Sequence, residues 1–152
     1  MIVYLDASAV VKRYTHEVGG AEVATAIAEA EATGTSMVSG AEVPAVLAKA
    51  VRTGALEQPE AQLALADFWR QWQGYARVDV SEGLVRRAAE LAWRHGLRGY
   101  DAVHLASALE LQDRSDKAVV LATFDRQLAR AARELGMDTL PADLDGQLGR
   151  QG

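Results

Sequence analysis

The chain has no cysteine among its 152 residues. Disulfides, thiolate metal centres and a cysteine nucleophile are therefore excluded, and a reducing compartment suits it. No basic segment precedes the opening apolar run, which Asp6 interrupts, so no signal peptide is expected. No stretch approaches the ~18 consecutive apolar residues of a membrane helix. A soluble cytoplasmic protein with no membrane partner is the expectation. Positive charge is also in short supply: 16 Lys and Arg against 21 Asp and Glu leave a net charge of −5. That balance argues against a surface that coats nucleic acid indiscriminately. It leaves room for a local site whose carboxylates are offset by bound cations. Internal repeats and low-complexity tracts are missing too. No G-x-S-x-G elbow occurs, and the first apolar run ends in D-A-S rather than D-x-D. An acyl or phosphomonoester hydrolase on an open sheet is thereby disfavoured.

What remains is ordinary globular material, 49% hydrophobic and 24% charged. Short apolar runs at 2–5, 35–38, 77–80 and 119–122 predict strands, with a further edge strand at 137–140. Helical patterns fall between them, at 9–14, 21–32, 39–52, from Pro59 onward, and at 82–95, 101–112 and 124–135. Leu65, Phe68, Trp69 and Trp72 follow i, i+3, i+4, i+7 and predict one buried face. That stripe reads as core, or as a groove for a partner helix, before it reads as a base-stacking platform. The alternation predicts an α/β fold, a three-layer α/β/α sandwich around a central, mainly parallel twisted sheet. Residues 1–140 are expected to form a single domain and 141–152 a loose C-terminal tail.

Four acids stand where a strand-like run meets a helical run: Asp6, Glu42, Asp101 and Asp125. In parallel α/β sheets, ligands sit beyond the carboxyl ends of the strands, which is where Asp6 and Asp125 should point. Carboxylates crowded there repel unless a cation joins them, so the pattern predicts a hard-metal site and chemistry on a phosphate. Each acid also has a plainer role available. Ser39 and Glu42 match a capping box, and Asp101 could cap its helix. Asp125 suits a helix first turn, where the dipole favours an acid. Helix capping alone gives no reason for Asp6. His104, three residues past Asp101 within an apolar string, reads as a packed core histidine. Basic residues flank the acids, and Lys12, Arg13, Arg98 and Arg126 are candidate contacts to phosphates on either side of a cut.

The strings Y-L-D-A-S-A-V-V-K, S-G-A-E-V-P-A-V-L, Y-D-A-V-H-L-A-S-A-L and L-A-T-F-D-R-Q-L resemble the four acidic motifs of the PIN-domain family. Order and spacing match as well, so the resemblance runs from Met1 to about Leu140. The short single-domain form and the D-A-x-H-L-A segment most resemble the VapC-type ribonuclease toxins. The resemblance implies a Mg²⁺- or Mn²⁺-dependent endoribonuclease, the toxin of a type II toxin–antitoxin pair, silenced by a small cognate antitoxin and assembled as a homodimer. It implies that Asp6, Glu42, Asp101 and Asp125 bind the metal, with Asp6 and Asp101 central and Ser8 and Thr123 supporting them. Some relatives carry a further acid just after the fourth motif, where this chain has Gln127. The rival expectation is a non-catalytic module of the same fold that binds RNA or protein.

Overall fold

The computed structural model describes residues 1–15 and 18–149, the side chain of Leu148 excepted. Five strands and eight helices alternate along it. They are β1 (Ile2–Leu5), α1 (Ala7–Lys12), α2 (Gly20–Glu29), β2 (Ala32–Ser36), α3 (Ser39–Arg52), α4 (Gln58–Trp72) and β3 (Ala76–Val78). Then follow α5 (Glu82–His95), α6 (Gly99–Ser115), β4 (Val119–Ala122), α7 (Arg126–Glu134), β5 (Thr139–Leu140) and α8 (Leu144–Gly149). The sheet order is β3-β2-β1-β4-β5, with every pairing parallel.

The central strand shows why the fold has three layers. Its side chains alternate: Ile2 and Tyr4 join a core built with α5, α6 and α7, while Val3 and Leu5 join one built with α1, α3 and α4. All four are buried, as the uninterrupted apolar run predicts for a strand covered on both faces. Phe68 and Trp72 anchor the second core, and Trp69 is left 45% exposed at its rim. The expected helix stripe is thus mostly core. Among the described residues no helix is long and apolar enough to cross a membrane.

Several element boundaries differ from the expectation, each for a tertiary reason. The second strand starts at Ala32, three residues early, because Ala32 pairs with Ile2 and the Glu31 amide donates to the Met1 carbonyl. Sheet pairing overrides the helix propensity of the alanine-rich segment, which stops at Glu29. Helix α7 starts at Arg126 rather than Phe124, because Asp125 caps it. Phe124 instead packs against the second core with the Lys12 ammonium 5.1 Å from its ring centre. Beyond Pro141, where a loose tail is expected, α8 forms with Leu144 buried and Glu22 accepting from the Ala142 amide and the Gln147 side chain. Residues 150–152 of that tail lie outside the described residues.

Candidate functional site

Helix direction brings the four acids together. A helix that follows a parallel strand begins at the strand's carboxyl end, which places the first turns of α1, α3 and α7 there. A helix that leads into a parallel strand must run back from that same end, which places the start of α6 beside them. Asp6, Glu42, Asp101 and Asp125 sit at these four helix beginnings. All four line one open cavity of about 290 Å³, together with Ser8, Val46, Arg98, His104 and Phe124. The positive ends of the helix dipoles converge on the acids and lower the cost of gathering them.

Asp6 is the most enclosed, at 4% exposure. The β1–β4 register sets Leu5 beside Ala122, so the next residues, Asp6 and Thr123, are neighbours. Thr123 Oγ1 donates to Asp6 Oδ2 at 2.5 Å, and Ser8 Oγ donates to Oδ1 at 2.6 Å. The Ala9 amide donates to Oδ1 at 2.8 Å, so Asp6 does cap α1, a role the sequence alone did not suggest. Burial pushes the Asp6 carboxyl above its usual range, opposed by His104 and by these hydrogen bonds. Ser8 and Thr123 brace the acid, and both also tie down the fourth motif: Ser8 Oγ accepts from the Phe124 amide at 3.1 Å, Thr123 Oγ1 from the Asp125 amide at 3.1 Å.

Glu42 does not form the capping box. Ser39 Oγ lies 2.8 Å from Thr35 Oγ1, buried beneath the helix start, and makes no cap bond to α3. Released from that role, Glu42 Oε1 lies 2.6 Å from His104 Nε2. His104 Nδ1 lies 2.9 Å from the buried Tyr4 hydroxyl. His104 is therefore buried, as expected, yet it also lines the cavity and holds Glu42. Its spacing from Asp101 on α6 was the one legible hint. Tyr4 gave none: it is packed in the core shared with α5, α6 and α7 and meets the site's hydrogen bonds through the histidine.

Asp101 is not a cap either; α6 starts two residues before it. Asp101 and Asp125 meet instead through Arg98. Arg98 Nε donates to Asp101 Oδ2 and Nη2 to Asp125 Oδ2, each at 2.9 Å. Asp125 Oδ1 also caps α7 through the Leu128 amide at 2.8 Å. Burial raises the Asp101 carboxyl, with the Asp125 charge adding to it and Arg98 opposing it. Of the other basic candidates, Arg13 turns away to Gln71 and the Tyr75 hydroxyl on the α4 side. Arg126 pairs with Asp145 at 3.5 Å and lines a neighbouring pocket with Arg130 and Arg133. Lys12 is held near Phe124, at the cavity edge.

The donor set is all carboxylate and hydroxyl oxygen with one imidazole, which suits a hard divalent cation. As the side chains stand, no three acidic or histidine groups among the described residues come close enough to hold one ion together. A cationic group nevertheless already occupies the space between two of them: the Arg98 guanidinium touches both Asp101 and Asp125. Those two carboxylates can thus share one positive centre.

The PIN domain family model matches residues 3–134. Ribonuclease VapC45 of Mycobacterium tuberculosis (strain CDC 1551 / Oshkosh) is 38% identical over 144 residues, 95% of this chain and 98% of that one. Among solved structures, PAE2754 from Pyrobaculum aerophilum superposes with a TM-score of 0.63 at 20% identity, covering 98% of this chain and 90% of the other. VapBC2 from Rickettsia felis, bound to a DNA fragment from its promoter, gives 0.61 at 16% identity, covering 91% and 97%. Parallel strand order, acids at four helix beginnings and the near full-length family match converge on one assignment: the chain belongs to the PIN-domain family.

Proposed function

We propose that the protein is an endoribonuclease dependent on Mg²⁺ or Mn²⁺, acting as the toxin of a type II toxin–antitoxin pair in the cytoplasm. The observation that carries this reading is the single cavity onto which Asp6, Glu42, Asp101 and Asp125 all open. Its similarity to VapC ribonucleases and to VapBC proteins supports RNA as substrate and a small antitoxin as partner. Asp6, Asp101, Asp125 and Glu42 are the residues that would hold the ion. When bound, such an ion supplies Lewis-acid stabilisation of phosphoryl charge and an acidified water.

The chain's own groups account for the rest. Ser8, Thr123 and the Ala9 amide fix the Asp6 carboxylate in one rotamer, so that its orientation is set before any ligand arrives. His104, braced by Tyr4, does the same for Glu42. Arg98 brings a fork of N–H donors to the cavity mouth, suited to a phosphate oxygen pair. The chain has no cysteine, and the cavity serine, Ser8, is occupied in holding Asp6 and the Phe124 amide, which is consistent with attack by water. The intact set of four acids favours catalysis over a binding module that has lost it.

The test is cleavage of single-stranded RNA by the full chain with Mg²⁺ or Mn²⁺, beside Asp6→Ala. Loss of at least about 100-fold is expected, since even an outer-sphere partner commonly accounts for 10–100-fold. Equal cleavage by both proteins would reject the reading.

A further inference from the structure

We propose that Arg98 is an internal counter-charge for the acid cavity: it bridges Asp101 and Asp125 when no divalent cation is bound, and turns to the RNA phosphate when one is. The inference rests on the metal-dependent reading above and adds a residue that competes with the ion.

The geometry is specific. Arg98 Nε reaches Asp101, three residues on in α6, and Nη2 reaches Asp125, which caps α7, both at 2.9 Å. One planar fork therefore spans two acids that belong to different helices. The exposures are unequal: the Arg98 side chain is 74% exposed, Asp101 15% and Asp125 25%. The anions are partly withdrawn from water while the cation sits on the solvent side. Exposed ion pairs are weak and exchange readily, so the guanidinium can leave without disturbing the core. Nor does the helix hold it. Arg98 stands at the N-cap position in an extended conformation and makes no side-chain cap bond.

The two acids need such a partner. Asp101 and Asp125 oppose each other electrostatically, while the Ser8 and Thr123 hydroxyls are already spent on Asp6 and the His104 imidazole on Glu42. Arg98 contacts the Oδ2 atoms, so an ion drawing on those atoms and the guanidinium exclude one another. Once displaced, an arginine that cannot lose its proton remains at the cavity mouth, opposite the place where a phosphodiester must approach.

This dual use makes two observables move in opposite directions. In Arg98→Gln, the affinity for Mn²⁺ should rise roughly three- to tenfold, the scale of an exposed ion pair with charge-assisted hydrogen bonds. At saturating Mn²⁺, kcat/KM for RNA should fall about tenfold as one phosphate contact is lost. Arg98→Lys, which keeps the charge without the fork, should bind Mn²⁺ with intermediate affinity. Calorimetric titration of the full chain with Mn²⁺ reads the first effect, and RNA cleavage reads the second. Circular dichroism confirms that both variants are folded, and the lysine variant serves if the glutamine one is not. Unchanged or weaker Mn²⁺ binding in folded Arg98→Gln would make the contact merely structural and overturn the proposal. So would tighter Mn²⁺ binding with undiminished kcat/KM, which would remove the phosphate role. Absence of Mn²⁺ binding in all three proteins would reject the metal-dependent reading itself, a result distinguishable from equal binding in wild type and Arg98→Gln.

Discussion

The two halves of the acid cavity are built differently. On one side, Asp6 and Glu42 are held by neutral donors and a buried imidazole, in the order Thr123, Ser8 and the Ala9 amide for Asp6, and His104 with Tyr4 for Glu42. On the other, Asp101 and Asp125 are held by one exposed guanidinium. The first half is locked by packing, because Thr123, Ala9, His104 and Tyr4 are buried and cannot relax to water, with only Ser8 half-buried at the cavity wall. The second half is held by charge that water and ions can replace. A site divided in this way keeps part of its ligand geometry fixed and leaves the remainder free to respond to what binds.

Mutations should separate the halves. His104→Ala removes the brace of Glu42 and takes one hydrogen-bond partner from the buried Tyr4 hydroxyl. We expect a 10–100-fold loss in Mn²⁺ affinity or RNA cleavage, measured by calorimetry and turnover, together with lower stability. An unaffected ion affinity would mean that Glu42 needs no brace. On the other side, Asp125 has two duties, and two substitutions divide them. Asp125→Ala should cost about 1 kcal/mol in chemical denaturation, because α7 loses its cap. Asp125→Ser should recover most of that stability yet still fail to bind Mn²⁺. Asp101→Ala, which removes no cap, should destabilise less than Asp125→Ala.

The smallest effect concerns the burial of Asp6. Its carboxyl is held above the ordinary range in the folded chain, first by burial, and reverts on unfolding. Between those two values the native state carries more protons than the unfolded one, so stability falls as pH rises through that window. The penalty is complete once pH exceeds the folded value. Asp6→Asn removes it. In EDTA at pH 7 the variant's Tm should exceed wild type by up to a few degrees. The difference should shrink as pH falls toward the ordinary carboxylate range. A variant less stable than wild type at pH 7 would show that the three hydrogen bonds to Asp6 outweigh its burial.

Much of this was legible in the residues. The run Ile2-Val3-Tyr4-Leu5 has the pattern of a strand covered on both faces, and four acids at strand–helix joints point to one cluster at the end of a parallel sheet. What misled was local capping logic. Glu42 and Asp101 have good capping contexts and do not cap; Asp6, with no such context, does, and Asp125 does so from one position earlier than a first-turn placement. A capping motif describes what a helix start would choose in isolation. Here Thr35 claims Ser39 and Arg98 claims Asp101 from within four residues, while His104 claims Glu42 across 62 residues, a contact that sequence distance hides. The role of His104 was hidden for the same reason: it depends on Tyr4, 100 residues away. Of the basic residues, flanking an acid in sequence did not bring Arg13 to the cavity, because just past the end of α1 its side chain is held by Gln71 of α4 and by Tyr75.

The most direct test is a titration with Mn²⁺ of wild type, Asp6→Asn and Asp125→Ser, one substitution from each half. If both halves share one ion, wild type binds it and either substitution alone abolishes that binding. Retention of wild-type affinity and stoichiometry by either variant would contradict a shared ion.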